Sequence, residues 1–195
     1  MKHANVSIFV PHNGCPHQCS FCSQRSITGQ QSQPTPEDVR RTLDQAVRDL
    51  GERIRESEIA FFGGSFTAID RSYMISLLDT ACHYVKQYSF TGIRLSTRPD
   101  AVDAEVLRLL RDYGVTSIEL GAQSMDDRIL GLNGRGHISR DVEEASALIQ
   151  EFGFSLGLQM MTGLYGDTPQ KSYNAALRLC ALHPDAVRIY PTVVL

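Results

Sequence analysis

The cysteines are the residues of this sequence whose spacing most directly implies chemistry. Cys15, Cys19 and Cys22 follow a short apolar run in the pattern C-x3-C-x2-C. Thiolates are soft ligands that select iron–sulfur clusters, zinc or Cu(I). Three cysteines would hold three irons of a 4Fe-4S cluster and leave the fourth iron open to a small molecule. The pattern therefore predicts a metal centre that can accept a second cofactor.

A zinc site is the alternative reading of the same cysteines. His12 or His17 could complete a Cys3His set. Structural zinc sites are closed and usually draw their ligands from two separated pairs. The sequence has no second pair at zinc-finger distance, so the single local group favours an iron–sulfur cluster.

The elements that must position these cysteines alternate between strand and helix. Short apolar runs of strand length recur, and amphipathic helical stripes separate them. This order predicts a parallel sheet with right-handed crossovers, either an open doubly wound sheet or a full or partial β/α barrel. The six runs are Val6–Val10, Ile59–Phe62, Ile93–Leu95, Ser117–Leu120, Leu156–Met161 and Val187–Tyr190, and the helical stripes begin near Thr35, Met74, Asp103, Ser139 and Thr168.

Polar and glycine-rich residues follow directly after the predicted strands. Both architectures place ligands at the carboxyl ends of parallel strands. We therefore expect a single site at one rim of the sheet. Besides the cysteines, the residues at these positions are Gly63-Gly64-Ser65, Ser96-Thr97-Arg98, Gln123-Ser124, Gly163 and Tyr190.

The cysteine motif, with the aromatic Phe21 before its last cysteine, resembles the signature of the radical SAM superfamily. The resemblance implies a parallel (β/α)6 partial TIM-type barrel. It also implies that Cys15, Cys19 and Cys22 ligate a 4Fe-4S cluster, that S-adenosylmethionine (SAM) binds the fourth iron, and that Phe21 lies against the adenine.

Motifs after the second and third strands extend this resemblance. Gly63-Gly64-Ser65 resembles the Gly-Gly-Glu or Gly-Gly-Thr motif of the family, which implies close approach to the methionine amino group. The run Ser96-Thr97-Arg98-Pro99-Asp100 resembles a segment of the Elongator catalytic subunit. There Ser96 stands where a glutamate usually contacts SAM, and Arg98 would face the SAM carboxylate.

Motifs after the later strands point the same way. Gln123 and the run Arg135-Gly136-His137 resemble a segment shared by Elongator-type and coproporphyrinogen-oxidase-type radical SAM proteins. The resemblance implies that Gln123 and Arg135 contact SAM. Gln159 stands where the family often has an acid that reaches the ribose, and an amide can also hydrogen-bond a hydroxyl. Tyr190 resembles the adenine-side wall, whereas Ser124 with Asp127 is typical of a helix capping pair.

The activity implied is reductive cleavage of SAM to methionine and a 5′-deoxyadenosyl radical that abstracts hydrogen from a substrate. The resemblances suggest tRNA or a tetrapyrrole as substrate and flavodoxin or ferredoxin as electron donor. The alternative is a non-catalytic iron–sulfur or zinc module within a nucleic-acid-modifying assembly. A plain dinucleotide- or phosphate-binding domain is disfavoured, because neither G-x-G-x-x-G nor a P-loop follows a strand.

Composition limits the remaining possibilities. The chain has 195 residues and a net charge of −3, with no long basic run and no apolar segment of membrane length. We expect one domain over residues 1–195, as a fragment of a longer chain, and a cytoplasmic location. The five cysteines do not suggest a disulfide framework. Cys82 and Cys180 fall in helical patterns and are predicted to be buried free thiols.

Overall fold

A single parallel sheet organises the protein. The computed structural model describes residues 4–11, 19–22 and 32–193. Six strands lie in the order β1-β2-β3-β4-β5-β6, each parallel to its neighbours, and curl into a half-barrel. The strands are β1 Ala4–Val10, β2 Ser57–Gly63, β3 Ile93–Thr97, β4 Val115–Gln123, β5 Ser155–Thr162 and β6 Ala186–Pro191.

The consecutive strand order decides between the two predicted architectures. A doubly wound sheet reverses its strand order at a switch point, whereas a β/α barrel adds each strand beside the previous one. The observed order has no reversal. The predicted (β/α)6 partial barrel is therefore confirmed.

Helices cover the outside of the curl. The five predicted helical stripes form the five longer helices, and the short helix α4 is additional. The α-helices in the described ranges are α1 Pro36–Leu50, α2 Arg71–Tyr88, α3 Ala104–Asp112, α4 Asp127–Leu132, α5 Ser139–Glu151 and α6 Pro169–Cys180. Across residues 4–11, 19–22 and 32–193, no helix combines the length and apolarity needed to cross a membrane.

Side-chain caps fix where several helices begin. Thr35, Asp103 and Thr168 each accept a hydrogen bond from a backbone N–H in the first turn of α1, α3 and α6. Such caps satisfy amides that the helix leaves unpaired. For these three helices the cap residue predicted from the sequence is the one observed.

The predicted capping pair at α4 is wrong. Asp126, not Ser124, is the N-cap, and its carboxylate accepts from the amides of Arg128 and Ile129 at 3.0 and 3.1 Å. The Ser124 hydroxyl instead accepts from the amide of Asp126 at 3.2 Å. The reason is that Asp126 has the extended backbone of an N-cap, and its short carboxylate already reaches both amides.

The hydrophobic core lies between the sheet and the helices. We call the side of the strands that faces the helices the outer face. Apolar side chains fill it from every strand except β6, whose outer residues Val187 and Ile189 are exposed. Cys82 is buried as predicted, but Cys180 is exposed. Cys180 follows the buried Leu179 in α6, and one residue of helix rotates the side chain away from the core.

Candidate functional site

Two of the three clustered cysteines lie in the described part of the chain. The backbone N–H of Cys22 donates to the carbonyl of Cys19 at 3.0 Å, which forms a tight turn. Both cysteines and the intervening Phe21 are partly exposed. Cys15 and the candidate zinc ligands His12 and His17 lie outside the described residues. The three-cysteine ligand set and the contact of Phe21 with adenine remain predictions.

Arg135 connects this turn to the end of β4. Its Nη1 lies 3.5 Å from the Cys19 Sγ, and its Nη2 donates to the Gly121 carbonyl at 2.6 Å. Its Nε is buried and has no hydrogen-bond partner in the described part of the chain. The guanidinium therefore brings positive charge to the thiol and keeps one donor available.

Gln123 ends β4 in an unusual conformation. Its φ is 65°, in the left-handed region that non-glycine residues seldom occupy. The pairing register of β4 and β5 shifts between Gly121 and Gln123, as at a β-bulge. The buried Oε1 of Gln123 has no partner among the described residues. Backbone strain and an unpaired acceptor often occur together at binding sites.

The glycine pair at the end of β2 allows β1 and β2 to approach each other closely. Gly63 has φ of 116°, and a Cβ there would lie 2.7 Å from the Phe9 ring and 2.8 Å from the Val10 carbonyl oxygen. The amide of Gly64 donates to the same carbonyl at 2.9 Å. Only glycine fits at position 63 without displacing its neighbours. The contact of both glycines with SAM remains a prediction.

Ser65 is directed into the protein. Its hydroxyl lies 3.1 Å from that of Thr97 and accepts from the backbone N–H of Arg98 at 3.0 Å. The Thr97 hydroxyl in turn contacts Thr67, whose hydroxyl donates to the Ala101 carbonyl. These bonds join the ends of β2 and β3.

Arg98 forms a bidentate pair with Asp100. Its Nε and Nη2 donate to the two carboxylate oxygens at 2.9 and 2.5 Å, and the Arg98 side chain is 5% exposed. Burial acts to raise the pKa of Asp100, but the hydrogen bonds and charge of Arg98 outweigh it and hold this pKa below its usual range. The predicted contact of Arg98 with the SAM carboxylate is not tested by this pairing.

A network of charges occupies the inside of the curl, which we call the inner face. Glu119 on β4 is 2% exposed, accepts a hydrogen bond from Arg94 on β3 at 3.0 Å and forms an ion pair with Arg188 on β6 at 2.8 Å. The Gln159 amide on β5 donates to its other oxygen at 2.6 Å. Arg94 also pairs with Glu58 on β2 at 2.7 Å. The network thus crosses five strands with two acids and two arginines.

Ser96 and Tyr190 complete the predicted set on the inner face. Ser96 pairs in register with Glu119, and its buried hydroxyl has no partner in the ranges described. Tyr190 on β6 pairs with Met161 and is 42% exposed. Both residues face the interior of the curl, where a ligand at the rim would lie.

His137 is a buried, neutral imidazole behind the rim. It is 3% exposed, and its Nε2 lies 3.2 Å from the Ala122 carbonyl oxygen. Its Nδ1 has no partner among the described residues. Burial, followed by the charge of Arg135, lowers its pKa from 6.5 to about 4. It therefore carries no charge near neutral pH.

This geometry agrees with the comparison to known proteins. The family model described as "Radical SAM superfamily" matches residues 9–176, which include the cysteine turn, the glycine pair and Arg135. The chain belongs to the radical SAM superfamily. The predicted family is confirmed, and the cofactors of this family are a 4Fe-4S cluster and SAM.

Individual relatives share the same core. The tRNA uridine(34) acetyltransferase of Dehalococcoides mccartyi is 27% identical, over 97% of this chain and 48% of its own length. The heme chaperone HemW of Bacillus subtilis is 28% identical, over 87% of this chain and 46% of its own. The chain spans about half the length of these relatives.

A solved structure supports the fold. The archaeal Elp3 of Methanocaldococcus infernus superposes with a TM-score of 0.75 at 20% identity, covering 98% of this chain and 46% of that one. At this identity the likeness is evidence for the fold alone. It agrees with the half-barrel observed here.

The rim of this radical SAM core fits its cofactors chemically. Cys19 and Cys22 would supply sulfur ligands to the cluster, and the Arg135 guanidinium lies beside the Cys19 sulfur. Buried polar atoms without partners in the described ranges occur on Ser96, Gln123 and Arg135. Buried polar groups are normally hydrogen-bonded, so these atoms are suited to a polar ligand. SAM carries a carboxylate, an ammonium group and hydroxyls that can satisfy them.

Sequence reasoning missed three charged residues of the inner face and one amide. Glu58, Arg94 and Glu119 interrupt buried strands with charge, and that interruption is the signal that could have indicated an interior network. Asn133 is 1% exposed and contacts the cysteine turn. It stands in the run Asn133-Gly134, which reads as an ordinary turn, so no signal distinguished it.

Proposed function

We propose that this chain is the SAM-cleaving core of a radical SAM enzyme. The observation that carries the proposal is the contact of Arg135 with both Cys19 and the end of β4, within a chain matched by the family model. When bound, the cluster and SAM supply one-electron cleavage of the S–C5′ bond of SAM, which starts hydrogen abstraction from a substrate.

The residues of this chain bind and orient. Cys15, Cys19 and Cys22 would hold the cluster by their thiolates. Arg135 would keep the Cys19 side of the loop against β4 and offer its Nε to an acceptor on SAM. Gln123 would offer its Oε1 to a donor. No side chain of the core has to act as a general base.

We propose that the substrate is a tRNA. The tRNA uridine(34) acetyltransferase of Dehalococcoides mccartyi aligns with 97% of this chain, whereas the heme chaperone HemW aligns with 87%. A tetrapyrrole is the second candidate, supported by the similarity to the heme chaperone HemW. We propose flavodoxin or ferredoxin as electron donor. Because tRNA, flavodoxin and ferredoxin are cytoplasmic molecules, we expect the chain to act in the cytoplasm.

Cluster chemistry is tested by anaerobic reconstitution, dithionite reduction and addition of SAM. We expect 5′-deoxyadenosine from the wild type and none from Cys22→Ala. Cys180→Ala is the matched control, because Cys180 is exposed on α6, away from the rim. It should form product at the wild-type rate. Protein that binds zinc, with no iron or acid-labile sulfide, would contradict the proposal.

Substrate choice is tested by adding candidate substrates to the reconstituted enzyme. Unmodified tRNA should raise the rate of 5′-deoxyadenosine formation, and the same tRNA with cytidine in place of uridine 34 should not. A rise with a tetrapyrrole instead would favour the second candidate. Replacing dithionite with reduced flavodoxin or ferredoxin then tests the electron donor.

A further inference from the structure

Asn133 is a polar residue in a buried position at the end of α4. It is 1% exposed, and its backbone N–H donates to the Ile129 carbonyl at 3.1 Å. A buried side-chain amide is unfavourable unless its donors and acceptor find partners. The identity of these partners indicates what the residue does.

The Asn133 amide makes four hydrogen bonds to three segments. Its Nδ2 donates to the carbonyls of Ile129 at 2.8 Å and Tyr165 at 3.0 Å. Its Oδ1 accepts from the Ser20 hydroxyl at 2.8 Å and from the Tyr165 amide at 3.2 Å. The full capacity of the amide is therefore used.

One of these segments is the turn that carries two cysteines. Ser20 lies directly after Cys19, and its backbone N–H donates to the Asn133 carbonyl at 3.1 Å. Ser20 is thus held by both main chain and side chain. Two residues beyond Asn133, Arg135 reaches the Cys19 sulfur. Residues 133–135 therefore form the seat on which the Cys19–Cys22 turn rests.

The second segment is the loop that follows β5. Tyr165 is bound through its backbone while its side chain is 73% exposed. The next residue, Gly166, has φ of 82°, and a Cβ there would lie 2.8 Å from the Leu132 Cδ1. The loop after β5 and the cysteine turn are consequently packed against the same end of α4.

We propose that Asn133 is a positioning residue that holds the Cys19–Cys22 turn in the geometry needed to ligate the cluster and links that turn to the loop after β5. This inference rests on the proposed function, because it takes the cysteines as cluster ligands. Neither Asn133 nor Ser20 supplies a sulfur. Their contribution is to reduce the motion of the residues that do.

The experiment measures how fast the reconstituted protein loses iron to a chelator under anaerobic conditions. Ser20→Ala removes the hydroxyl, and Ser20→Thr retains it. Asn133→Asp removes both donors of the amide and keeps its acceptors. We expect Ser20→Ala to lose iron roughly two- to tenfold faster than the wild type, the change expected for one hydrogen bond. Asn133→Asp should be faster still, and Ser20→Thr should return to the wild-type rate.

The matched control is Asn174→Ala, an exposed asparagine on α6 that accepts from Gln170. It should lose iron at the wild-type rate. The electron paramagnetic resonance spectrum of the reduced cluster is a second measurement, and it should broaden in Ser20→Ala and Asn133→Asp. A change in overall stability alone would not alter that spectrum.

The outcomes separate this inference from the proposed function. A wild type that binds no cluster contradicts both. A wild type that holds its cluster, together with Ser20→Ala and Asn133→Asp proteins of unchanged iron-loss rate and spectrum, overturns the positioning role and leaves the proposed function standing. If Asn133→Asp does not fold, the iron-loss rates of Ser20→Ala and Ser20→Thr alone test the positioning role.

Discussion

The two faces of the same six strands are built on different principles. The outer face is apolar, and residues such as Phe61 and Leu120 are fully buried beneath the helices. The inner face carries Glu58, Arg94 and Glu119, joined by ion pairs across neighbouring strands. Burial of apolar area tolerates many combinations of side chains, whereas a buried charge requires its own partner. The outer face therefore stabilises the fold through apolar burial that tolerates substitution, whereas the inner face is specified residue by residue.

The sharpest test compares adjacent residues of β2 that point to opposite faces. Phe61 is 0% exposed and stacks on Phe66 with ring centroids 4.6 Å apart, whereas Phe62 is partly exposed. Phe61→Ala should lower the free energy of unfolding by about 4 kcal/mol through cavity formation. Phe62→Ala should lower it by less than about half of that. Urea unfolding measures both, and equal losses would contradict the distinction.

Removing the charge at the centre of the inner face should have a similar but smaller effect. Glu119→Gln leaves Arg94 and Arg188 without their shared carboxylate. We expect a loss of about 3 kcal/mol in the free energy of unfolding, because Arg188 loses its ion pair with a buried carboxylate and Arg94 keeps only its pair with Glu58.

Arg188 provides the check on this prediction. The combination of Glu119→Gln with Arg188→Gln should cost less than the sum of the two single changes, because one uncompensated charge is removed. Arg140→Gln is the surface control, since Arg140 pairs with Glu144 at an exposed position. Its replacement should leave the free energy of unfolding nearly unchanged, because an exposed ion pair contributes little. Strict additivity of the inner-face pair would contradict the network.

The buried histidine behind the rim predicts a pH dependence. The groups that act on it are Arg135, Arg98 and Asp100. Because burial lowers the pKa of His137 from 6.5 to about 4, protonation favours the unfolded chain over this range. The contribution of His137 to stability should be fully present above pH 6.5 and be lost as the pH falls toward 4, a loss of roughly 3 kcal/mol.

Two histidine variants isolate that contribution in urea unfolding at a series of pH values. His137→Gln should remove it and flatten the decline below pH 6.5. His83→Gln should leave the decline unchanged, because His83 is exposed on α2. An identical pH profile for His137→Gln and the wild type would show that the imidazole is not kept neutral by the fold.

The smallest expected effect distinguishes two serines near the rim. Ser65→Ala removes a hydroxyl bonded to Thr97 and to the backbone of Arg98, and should cost about 1 kcal/mol. Ser96→Ala removes a hydroxyl without a partner in the described part of the chain, and should change stability by less than about 0.5 kcal/mol. It should instead weaken SAM binding, measured by calorimetry. The opposite pattern would reverse the roles assigned to the two serines.

Much of the fold followed from the sequence because its signals are local. Runs such as Ile59–Phe62 lie within the observed strand Ser57–Gly63, and the cap at Thr35 begins α1 as expected. The prediction that Cys180 is buried was wrong, because a helical pattern does not show which side the last residue of a helix faces. The choice of a barrel over an open sheet depended on family resemblance, since alternation of strand and helix is common to both.

The location of the site could be predicted from the sequence, but the side-chain pairings around it could not. The rule that ligands bind at the carboxyl ends of parallel strands brought Gln123, Arg135 and the cysteines to one rim. The partners of Glu119 lie 25, 40 and 69 residues away in the chain, at Arg94, Gln159 and Arg188. Pairings over such separations depend on the curl of the sheet, and no short window of sequence contains them.

The seat of the cysteine turn has a consequence for the order of assembly during synthesis. Each strand pairs with the one before it, so the half-barrel can grow from its N-terminal end as the chain emerges. Ser20 and Asn133 are nevertheless 113 residues apart. At a translation rate of ~5–20 residues per second, Asn133 is synthesised on the order of ten seconds after Ser20. The cysteine turn cannot form its contacts with residues 133–135 before then. If the cysteines hold a cluster as proposed, we expect its insertion to follow the emergence of α4.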